Sequence, residues 1–385
     1  MKIQLMNKIA KIGTDRFGQG YEVGEDITSP DAMLVRSASL LDYEFSEELL
    51  AIARAGAGVN NIPLDRCSER GIVVFNTPGA NANGVKELAI AALILASRDV
   101  VGGVEWAKTL SSPDVAKQVE KGKGRFAGCE ILGKTLGVVG LGAIGGLVAN
   151  TARSLGMNVI GCDPYLTVGA AWSLSSSIKH ADSYDQIYKE SDYITLHIPS
   201  TKTTRGIINR ETIAKMKDGV RIINLARADL VDTEAIREAL ESGKVAAYVT
   251  DFPTEETLAL PRTVNIPHLG ASTMESEDNC AVMAVDQLKE YLETGNIKNS
   301  VNYPAVSIPY SGMRRICICH LNVANMLSSI TGTISKEGIN IENLSNGSKG
   351  DYAYTIVELG RDIAIPECVI EGINSLGGVI RTRMI

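Results

Sequence analysis

The chain has 385 residues, of which 45% are apolar and 22% charged, and its formal net charge is −7. This length predicts two or three domains with ordinary globular cores. The acidic balance argues against a nucleic-acid partner, which would need a basic face. No apolar run approaches the roughly 20 residues that a membrane span needs, and residues 1–8 do not resemble a signal peptide. We therefore expect a cytoplasmic protein without a membrane partner.

The cysteines give the same indication about compartment. There are seven of them, an odd number, and no two form a CxxC pair, so reduced thiols are expected. Cys317 and Cys319 alternate as on one face of a strand, and two sulfurs do not complete a zinc shell. No metal site is predicted.

The first hundred residues alternate short β-rich runs with helical patterns. Strands are predicted at 33–35, 50–53 and 72–75, followed by an apolar helix over about 84–96. Alternation of this kind indicates βαβ units around a parallel sheet.

A second alternating series begins at Thr135 and predicts about six parallel strands, enough for a doubly wound nucleotide domain. Its strands fall near 136–139, 159–162, 193–196, 220–223, 245–249 and 264–266. A helix over about 275–292 follows and is long enough to return to the first domain. The first domain is therefore expected to be discontinuous.

The last segment predicts a separate small domain. Residues 302–312 contain two prolines, two serines and a glycine, which is a linker composition. Beyond them the pattern predicts a βαββαβ order, the ferredoxin-like arrangement. The predicted strands are 315–321, 341–346, 352–359 and 379–384, and the helices are 326–336 and 366–375.

Three glycines follow an apolar strand and open a helix, which is the setting of a dinucleotide fingerprint. Gly140 permits the tight turn, Gly142 lets the backbone approach a pyrophosphate, and Gly145 allows the helix to pack on the strand. Asp163 follows the next strand, where a carboxylate accepts ribose hydroxyls and repels a 2′-phosphate, so NAD is favoured over NADP. The alternative is a βαβ unit whose glycines serve packing and whose Asp163 opens a turn.

Three polar residues lie at predicted strand ends of the same domain. His268 follows the last strand, Arg227 follows the strand near 220–223, and Glu255 follows the strand near 245–249. The carboxyl ends of such strands face the ligand crevice. There a histidine can carry a proton, an arginine can hold a carboxylate through two bonds, and a glutamate can stabilise the imidazolium. The alternative is a loop salt bridge between Arg227 and Glu255 and a histidine without a catalytic role.

Two other histidines have weaker claims to catalysis. His197 ends a strand and is more simply explained as a packed histidine, and His180 as a solvated loop residue.

At this point the chain resembles the D-isomer-specific 2-hydroxyacid dehydrogenases over nearly its whole length. The blocks that carry the resemblance are residues 54–61, 74–78, 140–145, 224–227 and 267–273. Within that family it is most similar to the members that oxidise 3-phosphoglycerate.

The resemblance implies an α/β protein with two doubly wound, Rossmann-like domains and a C-terminal ferredoxin-like ACT domain. The substrate-binding domain would comprise residues 1–97 and 274–304, the NAD-binding domain residues 98–273, and the regulatory ACT domain residues 313–385. It also implies Arg227, Glu255 and His268 as the catalytic set.

By the same resemblance, further residues contact the ligands. NAD would be bound by Gly140, Gly142, Ala143, Ile144, Gly145, Asp163, Leu225, Ala226, Arg227, Asp251, His268, Gly270 and Ala271. The substrate, a small anion such as 3-phosphoglycerate, would be bound by Arg36, Ser37, Arg54, Gly56 and Gly58. An L-serine effector would contact His320, Asn322 and Asn340 where ACT domains pair, and a homodimer or homotetramer is expected.

The sequence departs from the family at four places. Ala143 is shorter than the usual residue, and Ala228-Asp229 replaces a glycine pair. Ala324-Asn325 replaces the Pro-Gly that opens the ACT helix. The aspartate expected to hold the nicotinamide amide is Asp251 only if its strand slips by one residue; otherwise Thr250 takes the place.

Three functions remain open on this reading. The first is oxidation of 3-phosphoglycerate for serine biosynthesis, which the regulatory domain favours. The second is reduction of glyoxylate or hydroxypyruvate. The third is an NAD-sensing interaction protein without turnover.

Overall fold

The computed structural model describes residues 1–111 and 114–385. It has two compact units, one formed by Met1–Asn81 with Glu277–Ile385 and the other by Ala82–Ser276. Each contains a parallel sheet, and the first also contains a C-terminal antiparallel sheet. The predicted fold class, two parallel-sheet domains and a ferredoxin-like C-terminal fold, is confirmed.

The first unit begins with a five-stranded parallel sheet in the order β2-β1-β3-β4-β5. Its strands are β1 (Lys2–Leu5), β2 (Glu22–Gly24), β3 (Ala32–Val35), β4 (Ala51–Arg54) and β5 (Val73–Phe75), and its short helices are α1 (Lys11–Thr14) and α2 (Leu64–Glu69). The sequence predicted β3, β4 and β5. It missed β1 and β2 because they are only partly buried and lack the continuous apolar runs of β3, β4 and β5.

The second unit is a seven-stranded parallel sheet in the order β12-β11-β10-β9-β6-β7-β8. Its strands are β6 (Thr135–Val139), β7 (Asn158–Cys162), β8 (Lys179–His180), β9 (Tyr193–Leu196), β10 (Val220–Asn224), β11 (Val245–Thr250) and β12 (Thr263–Asn265). The helices are α3 (Ala82–Ser97), α4 (Val100–Lys108), α5 (Val115–Gly122), α6 (Ala143–Ser154), α7 (Val168–Trp172), α8 (Tyr184–Glu190), α9 (Arg210–Ala214), α10 (Thr233–Ser242) and α11 (Glu255–Leu258), with 3-10 turns at Lys123–Phe126 and Ala228–Leu230. The six predicted strands are present, and β8 is an additional two-residue edge strand.

The C-terminal antiparallel sheet has the order β14-β15-β13-β16. Its elements are β13 (Arg314–Leu321), α13 (Met326–Lys336), β14 (Ile341–Lys349), β15 (Tyr352–Leu359), α14 (Glu367–Asn374) and β16 (Val379–Met384), and α12 (Met274–Thr294) precedes it. All six predicted elements of this βαββαβ unit are present.

Helix α3 falls in the second unit, although the sequence analysis placed residues up to 97 in the first domain. The reason is its small-residue face. Ala89, Ala92 and Ala96 are buried in one core with Val148 and Ala149 of α6. Alanines permit close approach of two helices, and that packing binds α3 to the nucleotide sheet.

The linker predicted at 302–312 is wrong for most of its length. Tyr303 is fully buried, and Val306 and Ile308 are almost so. The Asn302 amide donates to the Ile72 carbonyl at 2.9 Å, and its oxygen accepts from the Val74 amide at 2.8 Å. A segment that satisfies backbone groups of the first sheet is part of the core, whatever its proline content.

The C-terminal sheet shares that core. One of its faces presents Ile316 and Ile318, which share a buried cluster with Ile330 of α13 and Ile373 of α14. The opposite face contributes Cys317, Cys319, Tyr354 and Ile356 to a cluster that includes Tyr291 and Leu292 of α12. The sheet is therefore buried on both faces within the first unit.

None of the helices in the described part of the chain has the length and apolar content needed to cross a bilayer.

Candidate functional site

The glycine turn between β6 and α6 has the geometry of a phosphate-binding loop. Gly140 has φ +91°, and a Cβ there would lie 2.6 Å from the His197 carbonyl oxygen. A Cβ on Gly145 would lie 1.9 Å from the Gly140 carbonyl, so the close approach of helix and strand requires glycine. A Cβ on Gly142 would meet no atom within 4 Å. The backbone at Gly142 and the N-terminus of α6 thus face open space that a pyrophosphate fits.

Asp163 lies beside this turn at the end of β7. Its Oδ2 accepts from the Leu141 amide and its Oδ1 from the Tyr165 amide, each at 2.9 Å. Each carboxylate oxygen keeps a second lone pair for a ligand hydroxyl. The residues of the turn and Asp163 therefore fit a dinucleotide whose ribose hydroxyls face this carboxylate.

His197 supports the turn from beneath. Its Nε2 lies 2.9 Å from Thr195 Oγ1, and its amide donates to the Val139 carbonyl at 2.8 Å. Burial lowers the pKa of His197 to about 4, so the imidazole is neutral. This agrees with the prediction of a packed histidine. His180 is exposed on β8, as predicted for a solvated residue.

Arg227 is exposed in the loop after β10, and a buried asparagine holds its backbone. Asn224 Nδ2 donates to the Arg227 carbonyl at 2.9 Å, and Asn224 Oδ1 accepts from the Ala226 amide at 3.2 Å. Sequence reasoning did not single out Asn224, although a buried amide at the end of a strand is a recognisable signal.

Asp229, one of the two residues that replace the family glycines, ties the same loop to its neighbour. Its Oδ2 accepts from Ser200 Oγ at 2.6 Å and from Arg205 Nε at 3.0 Å. The hydrogen bond from Ser200, together with Arg205, lowers the pKa of Asp229 and keeps it ionised. The aspartate that replaces glycine thus holds this loop through two side-chain hydrogen bonds.

His268 has a strained backbone in the loop after β12. Its φ is +29°, a region that non-glycine residues rarely adopt, and its ring lies 4.8 Å from the Phe252 ring, centroid to centroid. Its amide donates to the Asp251 carbonyl at 3.0 Å. Strained residues held by surrounding structure are common at functional sites.

Glu255 is exposed as the first residue of α11, which begins with a capping box formed by Thr254 and Thr257. In the described part of the chain, no hydrogen bond joins Glu255 to His268. The expected pairing therefore stays a prediction.

Asp251 and Thr250 have different surroundings at the end of β11. The register of β11 against β10 shifts by one residue near its start, where Val220 pairs with Val245 and Arg221 with Ala247. Thr250 Oγ1 accepts from the Phe252 amide at 3.2 Å. Asp251 is 1% exposed, burial raises its pKa, and His268 and Arg227 oppose that rise. The Asp251 carboxylate therefore lies within electrostatic reach of His268 and Arg227.

The other backbone positions predicted to contact NAD lie in the same loops. Ala143 and Ile144 form the first turn of α6, Leu225 and Ala226 precede Arg227, and Gly270 and Ala271 follow His268. Their contacts to a cofactor stay predictions.

The predicted substrate residues belong to the first unit. The amides of Arg36, Ser37 and Ala38 all donate to Asn7 Oδ1, at 3.1, 3.1 and 2.9 Å. The Arg36 guanidinium pairs with Glu277 at 2.6 Å. Asn7 therefore shapes the Arg36–Ser37 loop, and sequence reasoning missed it because the contact spans thirty residues.

Arg54 is folded over the glycine loop that follows β4. Its Nε donates to the Arg36 carbonyl at 3.1 Å, and a Cβ on Gly56 would lie 2.4 Å from its Nη1. The Asn76 amide donates to the Ala57 carbonyl at 2.7 Å, which fixes the loop that contains Gly58. Because Gly56 has no side chain, it leaves room for the Arg54 guanidinium.

The three predicted effector residues differ in exposure. His320 is 2% exposed, and its ring bonds the Leu321 carbonyl and Thr355 Oγ1, each at 2.8 Å. Burial lowers its pKa. Asn322 and Asn340 are exposed and bond the Gly350 carbonyl and Glu342. A ligand could reach the two asparagines at the surface, whereas the His320 ring is occupied by internal bonds.

Across residues 1–111 and 114–385, no three or more His, Cys, Asp or Glu side chains are grouped so as to hold a metal ion.

Comparison with known proteins gives consistent matches. Residues 92–270 match the family model described as D-isomer specific 2-hydroxyacid dehydrogenase, NAD binding domain. The chain is 39% identical over 296 residues to a hydroxypyruvate reductase of Thermotoga maritima, with 74% of this chain and 92% of that protein covered. It is 35% identical over 350 residues to a D-3-phosphoglycerate dehydrogenase of Methanocaldococcus jannaschii, with 88% and 64% covered.

A solved structure of the same family is also similar to this chain. The NAD⁺-bound 3-phosphoglycerate dehydrogenase of Entamoeba histolytica is matched with a TM-score of 0.61 and 27% identity, over 78% of this chain and 98% of that one. The chain spans about half to two thirds of the length of the curated D-3-phosphoglycerate dehydrogenases it matches.

Proposed function

Because this chain belongs to the D-isomer specific 2-hydroxyacid dehydrogenase family and carries its NAD-binding domain, we propose that it oxidises 3-phospho-D-glycerate to 3-phosphooxypyruvate, the first step of L-serine biosynthesis. One observation carries the choice of substrate. Two relatives named D-3-phosphoglycerate dehydrogenase match 88% and 91% of this chain, whereas the hydroxypyruvate reductase and other D-3-phosphoglycerate dehydrogenases match 74%. The longer matches take in parts of the chain that the shorter ones leave out.

The residues of the second unit have the chemistry for this reaction. Bound NAD supplies the acceptor for the hydride that leaves C2 of the hydroxy acid. His268 takes the hydroxyl proton, and Arg227 holds the substrate carboxylate through two parallel N–H bonds. Glu255 keeps its predicted role of stabilising the imidazolium. In the first unit, Arg36, Ser37, Arg54, Gly56 and Gly58 keep their predicted role in binding an anionic substrate.

The geometry of the glycine turn supports the proposed cofactor contacts. The open backbone at Gly142 and the first amides of α6 would meet the pyrophosphate, and Asp163 would accept from ribose hydroxyls. The exposed methyl group of Ala143 leaves its amide available.

The test of function combines rates with one substitution. Steady-state rates with 3-phosphoglycerate should exceed those with D-lactate and glyoxylate. His268→Ala should lower turnover by about 10²–10⁴-fold, because the proton then has no carrier, while NAD binding measured by fluorescence titration persists. Turnover close to that of the unmodified protein would exclude His268 as the base.

A second candidate function is reduction of hydroxypyruvate or glyoxylate, favoured by the 39% identity to the Thermotoga enzyme. Faster rates with these keto acids and NADH than with 3-phosphoglycerate and NAD would select it. The absence of turnover with every substrate, with NAD still bound, would instead indicate the interaction protein without turnover.

We further propose that the C-terminal sheet is an ACT domain that binds L-serine where two copies pair, in a cytoplasmic homodimer or homotetramer. The exposed amides of Asn322 and Asn340 support this, since each can both donate to and accept from an amino acid. Serine should slow initial rates about 5–150-fold, and Asn322→Ala should weaken that effect. Rates unchanged up to millimolar serine would leave the sheet with an assembly role.

A further inference from the structure

Two arginines follow neighbouring strands of the first sheet. Arg54 is the last residue of β4 and pairs in register with Val35, the last residue of β3, so Arg36 begins the adjacent loop. Arg54 Nε donates to the Arg36 carbonyl at 3.1 Å. Positive side chains that leave neighbouring strand ends repel each other, and an anion nearby offsets that repulsion. This end of the sheet is therefore suited to an anionic ligand.

A carboxylate of the same unit is bonded to one of these arginines. Glu277, in the first turn of α12, accepts from Arg36 Nη2 through its Oε1 at 2.6 Å. The Arg36 and Glu277 side chains are 44% and 42% exposed, so both are in contact with water. An exposed ion pair contributes little to stability, because water and salt compete with it. Arg36 can therefore exchange Glu277 for another anion at small cost.

Cys280 lies one turn further along α12 and is influenced by the same charges. Burial raises the pKa of its thiol, the Thr77 hydroxyl and more weakly Arg54 and Arg36 oppose that rise, and Glu277 adds to it. Electrostatic influence decreases with distance, so a thiol affected by all three charged side chains lies near each of them. The two arginines and Glu277 thus form one cluster beside the start of α12.

The charge of this cluster determines which anion it favours. It holds two positive charges and one negative charge. The proposed role of Arg227 accounts for the substrate carboxylate, and the phosphate is then left for the arginines of the first unit. A phosphate monoester carries about two negative charges at neutral pH and forms strong hydrogen bonds with guanidinium groups. A phosphate gains the Arg36 Nη2 donor only by displacing Glu277.

We propose that Glu277 is a specificity-determining residue: its carboxylate competes with the substrate phosphate for Arg36 and so weakens the binding of phosphorylated substrates relative to unphosphorylated ones. This deepens the proposed function and rests on its assignment of Arg36 and Arg54 to substrate binding. Acidic residues near a helix N-terminus also stabilise the helix dipole, but that role applies equally to Asp278, the next residue of α12. Glu277 is distinguished by its bond to Arg36.

Calorimetric titration in the presence of NADH tests the competition without turnover, because NADH accepts no hydride. Glu277→Gln should tighten the binding of 3-phosphoglycerate about two- to fivefold, since glutamine keeps the size of the side chain and removes the competing charge. The affinity for D-glycerate, which lacks the phosphate, should change much less. Asp278→Asn removes the same charge one residue further along α12, so it is the matched control and should leave both affinities unchanged.

A second pair of variants isolates the contribution of Arg36. When Arg36→Gln is already present, Glu277→Gln should lose most of its effect on 3-phosphoglycerate, because the guanidinium for which the two anions compete is gone. In steady-state assays Glu277→Gln alone should lower KM for 3-phosphoglycerate with little change in kcat, as expected for a change in substrate binding rather than in the chemical step.

Three results would overturn the proposal. Weaker binding of 3-phosphoglycerate to Glu277→Gln would show that Glu277 positions Arg36 for the phosphate instead of competing with it. An equal gain in Asp278→Asn, or an equal gain for D-glycerate, would show a general charge effect. Failure of 3-phosphoglycerate to bind either form would exclude a phosphate site in this cluster. Tighter binding to Glu277→Gln without oxidation of 3-phosphoglycerate by either form would keep the competition and exclude the proposed function.

Discussion

At the scale of single residues, the site depends on polar side chains at the ends of the strands, beneath the loops that carry the exposed residues. Asn224 fixes the backbone of Arg227, and His197 packs beneath Gly140. Both are partly or fully buried, and both occupy strand ends rather than the exposed loops. The exposed residues carry the proposed chemistry, while the buried ones determine where those residues lie.

His197 leads to a prediction about stability and pH. Its folded-state pKa of about 4 lies below the ordinary value of 6.5, so between these values the unfolded chain binds more protons. The free energy of unfolding should therefore fall by about 2 kcal/mol as the pH drops from 7.5 to 5. His197→Gln should lose most of this dependence, and His180→Gln should retain it. Urea unfolding at the two pH values measures both, and an equal slope in the two variants would contradict the assignment.

At the scale of elements, helix α13 shows how a departure from the family pattern is accommodated. The residue before the helix, Asn325, has φ +65° and ψ 2°, and its carbonyl accepts from the Ser329 amide at 3.0 Å. This is the left-handed conformation that glycine adopts readily and asparagine tolerates better than most residues. Asn325 thus keeps a left-handed helix start at a position where the family resemblance implies glycine.

Substitution of Asn325 tests this account. Asn325→Ala should lower the free energy of unfolding by about 1–2 kcal/mol, because alanine adopts the left-handed backbone conformation less readily than asparagine does. Asn325→Gly is the matched control and should cost much less. Thermal and urea unfolding measure the difference. A loss of the same size in both variants would show that the asparagine side chain, rather than the backbone conformation, matters.

At the scale of the whole molecule, the C-terminal sheet is anchored in the first unit by buried charges. The Arg315 guanidinium, fully buried, bonds Glu358 through Nε at 2.9 Å and Nη2 at 2.7 Å, and also bonds the Thr294 and Ile308 carbonyls. The Tyr354 hydroxyl donates to the Gly295 carbonyl at 2.7 Å. The sheet thereby supplies donors for the unpaired carbonyls at the end of α12. Removing residues beyond 310 would expose this face, so control by serine is better tested with point variants.

The ion pair gives the corresponding prediction. Glu358→Gln should lower the free energy of unfolding by about 3–5 kcal/mol, because it leaves the Arg315 charge buried without a counter-charge. Glu371→Gln, at an exposed position on α14, should have almost no effect. Replacing the pair together, as Arg315→Met with Glu358→Leu, should cost far less than the single change. A single variant as stable as the double one would argue against a charge effect.

The sequence by itself determined the strands from β3 onward apart from β8, the helices α3, α6 and α12 to α14, the glycine turn, and the strand ends at which Arg227 and His268 lie. These features are local, because strand and helix periodicity, turn glycines and the sites after strands are encoded by residues close together in the chain. Only the tertiary structure decided that Asp251 is buried beside the histidine loop, that residues 302–308 belong to the core, and that the C-terminal sheet is covered on both faces. The burial of a polar side chain depends on which distant segments remove its water, and no local pattern carries that information.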